Sequence, residues 1–204
     1  MSSSPKTINI LGVTGSIGQS ACDVILANPE HFDVNIISAH TDKEGLSDCA
    51  KKLGANQSIL TSEQDILPSL EQPVDITLCA IMGMAGLPSM LKAVQNSKAV
   101  LIATKEPLVA AGPLVIAEAK KYGTTLLPVD SEHNAIFQVF DEAQRDSITR
   151  IILTASGGPF RSWSREQMLV AKPEQALAHP NWEMGRKISI DSATMMNKAL
   201  EIIE

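Results

Sequence analysis

The sequence predicts an α/β protein in which a doubly wound parallel sheet is followed by a second domain. Short runs rich in Ile, Val and Leu alternate with longer amphipathic segments through the first two thirds of the 204 residues. Several of the short runs are almost continuously apolar, which is typical of strands covered by helices on both faces. Because strand and helix alternate, the connections are those of parallel βαβ units.

The elements of the sheet follow from these runs and from the glycines between them. Gly54, Gly86 and Gly123 mark turns or helix ends. We predict strands at residues 7–11, 34–38, 57–60, 74–80, 99–103 and 124–127, and helices at residues 16–28, 43–53, 87–95 and 107–121.

The alternation stops near residue 128, where the second domain begins. We predict a helix at residues 131–140, a strand at 147–155, a short helix at 164–170 and a final helix at 191–204. Asp191 or Ser192 would cap the final helix. Its expected core residues are Met195, Met196, Leu200 and Ile203. Because Glu204 still lies within a helical pattern, we expect the sequence to stop in mid-domain.

Composition narrows the classes of function. Lysine and arginine number 17 against 23 acidic residues, so the net charge is −6 and the pI is near 5.2, unlike a basic nucleic-acid-binding protein. No run approaches the roughly 18 apolar residues of a membrane helix, and the N-terminus lacks a signal core. Three cysteines without metal-ligand spacing indicate reduced thiols. We therefore expect a cytoplasmic protein that binds neither nucleic acid nor membrane.

A glycine-rich turn follows the first predicted strand. Gly12, Gly15 and Gly18 have the spacing Gly-x-x-Gly-x-x-Gly, a variant of the dinucleotide fingerprint. Glycines there let the backbone approach a pyrophosphate, which then lies at the N-terminus of the next helix. Thr14 and Ser16 can add hydroxyl donors. The alternative is a tight turn that binds nothing.

The residues after the second predicted strand do not decide which dinucleotide binds. An acid at this place holds a ribose 2′-hydroxyl, whereas a basic residue accommodates a 2′-phosphate. His40, Thr41 and Lys43 could accept a phosphate, but Asp42 would repel one.

Two groups of residues could serve a metal ion or a polar ligand. Asp130 and Glu132 are two apart, so in an extended segment their carboxylates face one side and suit a hard divalent cation. The alternative for this pair is a charged helix N-terminus.

A second group lies in the final predicted helix, where Asn197 and Glu201 would share one helix face, with Lys198 beside them. The alternative there is a solvated helical face.

Other residues are placed where anions bind. Ser156 precedes two glycines whose backbone N–H groups could face an anion, and Ser192 would lie at a helix N-terminus. Lys105 follows the fifth predicted strand, and doubly wound sheets bind ligands at the carboxyl ends of their strands. An ordinary turn at Ser156 and a surface charge at Lys105 are the plainer alternatives.

Residues 179–185 are typical of a lid, because two turn formers accompany the large aromatic Trp182 and Gly185 offers a hinge. The alternative is a static loop with Trp182 packed down. His31 and His133 are interpreted as a surface and a structural histidine.

Six segments, in this order, carry a resemblance. They are GVTGSIGQS (12–20), NPEHF (28–32), ATKEPLV (103–109), LPVDSEHNAIFQ (127–138), SGGPFR (156–161) and HPNWEMGRKISIDSATMMNKALEIIE (179–204). Together they resemble the 1-deoxy-D-xylulose 5-phosphate reductoisomerase family. The resemblance implies an NADPH-binding Rossmann domain at residues 1–128 and part of an α+β catalytic domain at 129–204, without the family's C-terminal helical domain.

The reaction that the resemblance implies belongs to non-mevalonate isoprenoid biosynthesis. It converts 1-deoxy-D-xylulose 5-phosphate to 2-C-methyl-D-erythritol 4-phosphate by metal-assisted isomerisation, with Mg²⁺, Mn²⁺ or Co²⁺, followed by NADPH reduction. The family forms homodimers, and we expect this chain to lack much of that interface.

The resemblance also implies roles for individual residues. The catalytic residues would be Lys105, Lys198 and Glu132. The metal ligands would be Asp130, Glu132 and Glu201, with Glu204 one turn later. The cofactor would be bound by Gly12, Thr14, Gly15, Ser16, Ile17, Gly18, His40, Thr41, Lys43 and Glu106. The substrate would be bound by Lys105, Ser131, Glu132, Ser156, His179, Trp182, Ser192, Asn197, Lys198 and Glu201. Within that set, the phosphate would be held by Ser156, His179, Ser192 and Asn197.

Two departures from the family pattern accompany these expectations. After the second strand the family commonly has Gly-Lys/Arg-Asn or a similar sequence, where this chain has His40, Thr41 and Asp42. Family members are also much longer, so we expect cofactor binding with little or no turnover from the 204 residues alone. The alternatives are a non-catalytic dinucleotide-binding remnant and an ordinary dehydrogenase, which would not explain residues 127–138 or 179–204.

Overall fold

The computed structural model describes residues 4–178 and 185–204. They form two compact units, which meet in sequence between Asn134 and Ala135. The first unit contains all the strands of the described residues, and the second is built from helices and turns.

The first unit alternates strand and helix. Its strands are β1 (Lys6–Leu11), β2 (Phe32–Ala39), β3 (Gln57–Leu60), β4 (Val74–Cys79), β5 (Ser97–Ile102) and β6 (Thr125–Pro128). Its helices are α1 (Ser16–Ala27), α2 (Lys43–Leu53), α3 (Leu87–Asn96) and α4 (Glu106–Tyr122), with short 3₁₀ turns at Pro29–His31, Leu67–Glu71 and Gly83–Gly86. The strands and helices predicted for this part differ from these by no more than two residues at any end.

The strands form one parallel six-stranded sheet in the order β3-β2-β1-β4-β5-β6. This order confirms the prediction of a doubly wound, Rossmann-type sheet. The order reverses beside β1, so the carboxyl ends of β1 and β4 border the crevice where sheets of this kind bind their ligands.

Both faces of the sheet are buried, which is why the strands read as continuous apolar runs. Ile10 and Ile37 point to one face, where they cluster with Cys22 of α1 and Cys49 of α2. Leu11, one residue further along, points to the other face and clusters with apolar residues of α3 and α4. The cysteines are buried free thiols, and burial raises the pKa of Cys22 to about 12.

Asp75 joins three strands at the opposite, amino-terminal edge of the sheet. Its carboxylate accepts hydrogen bonds from Lys98 Nζ at 2.6 Å, from Thr7 N at 2.9 Å and from Thr7 Oγ1 at 3.1 Å. The bond from Lys98 and those from Thr7 lower the pKa of Asp75 from 3.8 to about 2. The folded state therefore gains stability from ionised Asp75 above about pH 4, and loses it as the pH falls toward 2.

We expect Asp75→Asn to lower the free energy of unfolding at pH 7 by about 1–2 kcal/mol, because charge-assisted hydrogen bonds are lost. The difference in the free energy of unfolding between the variant and the unmodified chain should shrink as the pH falls toward 2. Urea unfolding across this pH range measures it, with exposed Asp33→Asn on β2 as the control. A difference that does not change with pH would contradict the role of the ionised carboxylate.

The second unit is helical in its described residues. After α5 (Ser131–Val139), which crosses from the first unit, come a 3₁₀ turn (Glu142–Ser147), α6 (Arg165–Leu169), α7 (Pro173–Leu177), α8 (Arg186–Ala193) and α9 (Met196–Ile203). The helices predicted at 131–140 and 164–170 are thereby confirmed. Within the described residues, no helix is both long and apolar enough to cross a bilayer.

The strand predicted at residues 147–155 is wrong. Residues 148–155 have no regular secondary structure, and the side chains of Ile151 and Ile152 are 58% and 71% exposed. A strand needs a neighbouring strand to accept and donate its backbone hydrogen bonds. The described residues of the second unit contain no such strand.

The single helix predicted at residues 191–204 is also wrong. Met195 has a left-handed backbone (φ 61°), so α8 ends before it and α9 begins after it. Ser192 consequently lies in the last turn of α8 and not at a helix N-terminus. The break also turns Met195, Met196 and Ile203 outward, each at least 45% exposed, whereas Leu200 is buried as predicted.

Candidate cofactor- and metal-binding sites

The glycine-rich turn lies between β1 and α1 and fits tightly against neighbouring backbone. Gly12 has φ +91°, and a Cβ there would lie 2.7 Å from the carbonyl oxygen of Ala80, just beyond β4. A Cβ on Gly18 would lie 2.5 Å from the carbonyl oxygen of Val13. The N–H groups of Gly12 and Val13 both donate to the Ser38 carbonyl, at 3.0 and 2.8 Å. The turn is therefore fixed at the switch point of the sheet, and two of its glycines are sterically required.

The N-terminus of α1 is open toward solvent. Its N-cap residue is Gly15, which has no side chain to accept a hydrogen bond, and the first turn contains no acidic residue. Gly15 and Ser16 are exposed, and Thr14 and Ile17 are half-buried. The first backbone N–H groups of a helix lack intrahelical acceptors and carry partial positive charge, so this end suits an anion.

The basic residues after β2 already have neighbours. His40 Nδ1 lies 3.1 Å from Thr61 Oγ1, and Lys43 Nζ lies 3.4 Å from Glu63 Oε1. Thr41, like His40 and Lys43, is exposed. Since the Lys43–Glu63 pair is highly exposed, it contributes little and can be displaced by a stronger anion.

Asp42 has a structural role that sequence reasoning missed. Its Oδ1 accepts a hydrogen bond from the Gly45 N–H at 2.9 Å, so Asp42 is the N-cap of α2. The signal was present, because an Asp directly before a helical run is a preferred cap.

A buried carboxylate lies beyond the carboxyl ends of β5 and β6. The Asp130 side chain is only 5% exposed, and its Oδ2 lies 3.6 Å from Lys105 Nζ. His133 Nδ1 lies 3.0 Å from both oxygens of the same carboxylate. His133, which the sequence analysis interprets as a structural histidine, therefore contacts a candidate site residue. A buried carboxylate is stable only with such partners.

The extended segment that the sequence analysis assumes for Asp130 and Glu132 is absent. Ser131 already begins α5, so Asp130 precedes the helix and Glu132 lies in its first turn. Glu132 Oε2 accepts a hydrogen bond from Ser131 Oγ at 2.6 Å. The alternative, a charged helix N-terminus, describes the local backbone correctly, but the burial of Asp130 is unusual for such a residue.

In the second unit, the loop at Ser156 packs against the end of α8. Ser156 Oγ lies 3.3 Å from Ser192 Oγ and accepts a hydrogen bond from the Gly158 N–H at 3.3 Å. Gly158 has φ +62°, and a Cβ there would lie 2.7 Å from the Ser192 carbonyl oxygen. The close approach that glycine permits therefore brings together two hydroxyls that the sequence placed 36 residues apart.

Glu201 on α9 is the second buried carboxylate. Its side chain has no exposed surface, and its Oε1 accepts a hydrogen bond from Asn197 Nδ2 at 2.5 Å. Lys198 Nζ forms an ion pair with Oε2. The shared helix face was predicted, but the alternative of a solvated face is wrong, because Glu201 is buried and Asn197 and Lys198 are half-buried.

Family models match nearly the whole chain. The model for 1-deoxy-D-xylulose 5-phosphate reductoisomerase matches residues 8–72 and 37–112, and the model for the C-terminal domain of the same enzyme matches residues 126–204. The chain belongs to the 1-deoxy-D-xylulose 5-phosphate reductoisomerase family.

Curated relatives and solved structures of reductoisomerases agree with this assignment. The enzyme of Zymomonas mobilis is 45% identical over 99% of this chain and 58% of the relative, and that of Rhodospirillum centenum is 43% identical over 98% and 55%. A structure of the Zymomonas mobilis enzyme in complex with NADPH matches with a TM-score of 0.88 at 43% identity, over 98% of this chain and 57% of that one.

A further reductoisomerase structure, in complex with NADPH, fosmidomycin and magnesium, matches with a TM-score of 0.81 at 39% identity, over 97% of this chain and 57% of that one. The chain thus spans somewhat more than half the length of these reductoisomerases.

His179 and Trp182 lie outside the described residues, and so does most of the expected lid; Gly185 directly precedes α8.

Thr104 is a candidate site residue that the sequence analysis does not identify. Its hydroxyl is buried just after β5 and has no hydrogen-bond partner among the residues that the structure describes. Such an unsatisfied group is costly unless a ligand completes it, and nothing in a lone Thr after a strand signals it.

Proposed function

We propose that this chain carries the cofactor, metal and substrate groups of a reductoisomerase that converts 1-deoxy-D-xylulose 5-phosphate to 2-C-methyl-D-erythritol 4-phosphate. In this proposal residues 1–128 bind NADPH, and residues 129–204 contribute metal- and substrate-binding groups. The observation that supports it most is the tight glycine-rich turn at the switch point of a doubly wound sheet, in a chain of this family.

The residues of the first unit fit a dinucleotide. Gly12 and Gly18 leave room for backbone only, and the open N-terminus of α1 can face the pyrophosphate. The hydroxyl of Thr104, which has no partner within residues 4–178 and 185–204, offers a further hydrogen bond at the same edge of the sheet, beside Lys105 and Glu106. When bound, NADPH supplies the hydride of the reduction.

The donor chemistry fits a hard divalent cation. Asp130 and Glu201 are buried carboxylates, each beside a lysine, and Glu132 lies two residues from Asp130. Oxygen ligands of this kind suit Mg²⁺ and Mn²⁺. We assign the three carboxylates as the metal ligands. A divalent cation held by these carboxylates would supply positive charge that stabilises negative charge on the substrate oxygens.

The remaining polar groups would bind and orient the phosphorylated substrate. Lys105 and Lys198 bring positive charge that stabilises developing oxyanions. Hydroxyl and amide donors hold phosphate oxygens. The donors that we assign to the phosphate are Ser156, His179, Ser192 and Asn197. Ser131 would contact a substrate hydroxyl, and Trp182 would cover the site and exclude water.

Consumption of NADPH with 1-deoxy-D-xylulose 5-phosphate and Mn²⁺ tests this function. We expect consumption to require both substrate and metal, and to stop with a chelator. Because the chain spans 58% of its Zymomonas relative, the second candidate is dinucleotide binding without turnover. NADPH binding without consumption would favour that candidate, and a chain that binds no dinucleotide would contradict both.

We expect NADPH to bind tighter than NADH, and Asp42→Asn to increase the preference several-fold. The change removes a negative charge near the proposed place of the 2′-phosphate, while Asn still caps α2. Calorimetric titration with both cofactors measures it. Asp48→Asn, an exposed residue of the same helix, is the control for net charge, and an equal gain from Asp48→Asn would contradict a specific role of Asp42.

A further inference from the structure

His133 contacts both oxygens of the Asp130 carboxylate at equal distances. It is the third residue of α5, and its Nδ1 lies 3.0 Å from Oδ1 and 3.0 Å from Oδ2 of Asp130. Lys105 Nζ approaches the same carboxylate from 3.6 Å, which is too long for a directional hydrogen bond. Lys105 therefore contributes positive charge near the carboxylate, and His133 fixes the orientation of the carboxylate.

The chemistry of the two groups determines which of them donates. A carboxylate that binds a cation can only accept hydrogen bonds, so in that role of Asp130 the contact requires the hydrogen on Nδ1 of His133. A donor placed midway between the two oxygens restrains rotation of the carboxylate about its last side-chain bond. Each oxygen has two lone pairs, so this bond leaves both oxygens able to accept a further partner.

We propose that His133 is a positioning residue, which holds the Asp130 carboxylate in the orientation that binds a divalent cation. The inference rests on the proposed function, in which Asp130 is a metal ligand. Hydrogen-bond partners that orient metal ligands typically change metal affinity by about 10–100-fold. A purely structural role, as a link between the start of α5 and the preceding residue, would change stability but not cation affinity.

Titration of the 204-residue chain with Mn²⁺, followed by electron paramagnetic resonance, tests the inference. We expect His133→Leu to weaken Mn²⁺ binding by about 10-fold or more. His133→Asn, whose amide N–H can take the place of Nδ1–H, should restore most of the affinity. Asp130→Asn should abolish binding. His31→Leu, at an exposed histidine 3.4 Å from Glu30, should leave the affinity unchanged.

The outcomes separate this inference from the proposed function. Equal Mn²⁺ affinity of His133→Leu and the unmodified chain would overturn the inference alone. So would a His133→Asn variant as weak as His133→Leu, since donation would then not be the cause. Mn²⁺ binding that survives Asp130→Asn, or is absent from the unmodified chain, would overturn the metal assignment and the inference together. NADPH affinity and thermal unfolding confirm that each variant is folded.

Discussion

Replacing Gly18 with alanine should weaken NADPH binding by about 100-fold, a loss of roughly 2.7 kcal/mol. The added Cβ would lie 2.5 Å from the Val13 carbonyl oxygen, and closer still to that of Gly12. Both obstacles are backbone atoms of the glycine-rich turn, so no side chain can rotate away to make room. The turn must shift, and with it the surface that approaches the pyrophosphate.

Calorimetric titration with NADPH measures this effect, and Gly112→Ala is the matched control. Gly112 lies in α4, has no positive φ and has open space where a Cβ would be, so its substitution should leave binding unchanged. Circular dichroism verifies that both variants retain the sheet. A Gly18→Ala variant that binds NADPH as tightly as the unmodified chain would show that the turn does not form the cofactor site.

The sheet was predictable because its signals are local. Both of its faces are buried, so each strand is an apolar run, and each helix follows within a few residues. Gly12 and Gly18 were predictable for the same reason, since a tight strand–helix turn needs them wherever it occurs.

The second unit was harder to predict because its structure depends on distant contacts. Nothing around Met195 signals a helix end, and a left-handed backbone at a residue with a long side chain is uncommon. The break lies beside a close tertiary contact, since a Cβ on Gly158 would lie 2.7 Å from the Ser192 carbonyl oxygen at the end of α8. The apolar run through Ile151 and Ile152 favours a strand, but only a neighbouring strand could make it one.

The candidate site was predicted as a set of residues but not as a set of contacts. The pattern of α9 indicated that Asn197, Lys198 and Glu201 share a face, but periodicity cannot show that this face is buried. The contact of His133 with Asp130 has a weak sequence signal, the spacing of three residues at a helix start. The Thr104 hydroxyl, which has no hydrogen-bond partner in the part of the chain that the structure describes, has no sequence signal, because its burial depends on packing around the end of β5.

Lys198→Met should destabilise the second unit by roughly 3–5 kcal/mol, because it removes the lysine that forms an ion pair with the buried Glu201 carboxylate. The Glu201 side chain has no exposed surface, and that of Lys198 is 13% exposed, so water cannot replace the lysine. Both tryptophans of the chain, Trp163 and Trp182, lie within residues 135–204. Urea unfolding followed by tryptophan fluorescence therefore reports on this unit.

Lys187→Met on α8 is the matched control for Lys198→Met. Lys187 pairs with Asp191 at 2.6 Å, but its side chain is 46% exposed, so removing it should cost at most about 1 kcal/mol. The double variant Lys198→Met/Glu201→Met should regain much of the lost stability, since apolar side chains of similar volume can replace a buried ion pair. It should at the same time lose Mn²⁺ affinity, because a proposed ligand is gone. If Lys198→Met costs no more than Lys187→Met, the ion pair does not hold Glu201 in place, and the stability of α9 must come from its apolar face at Leu200.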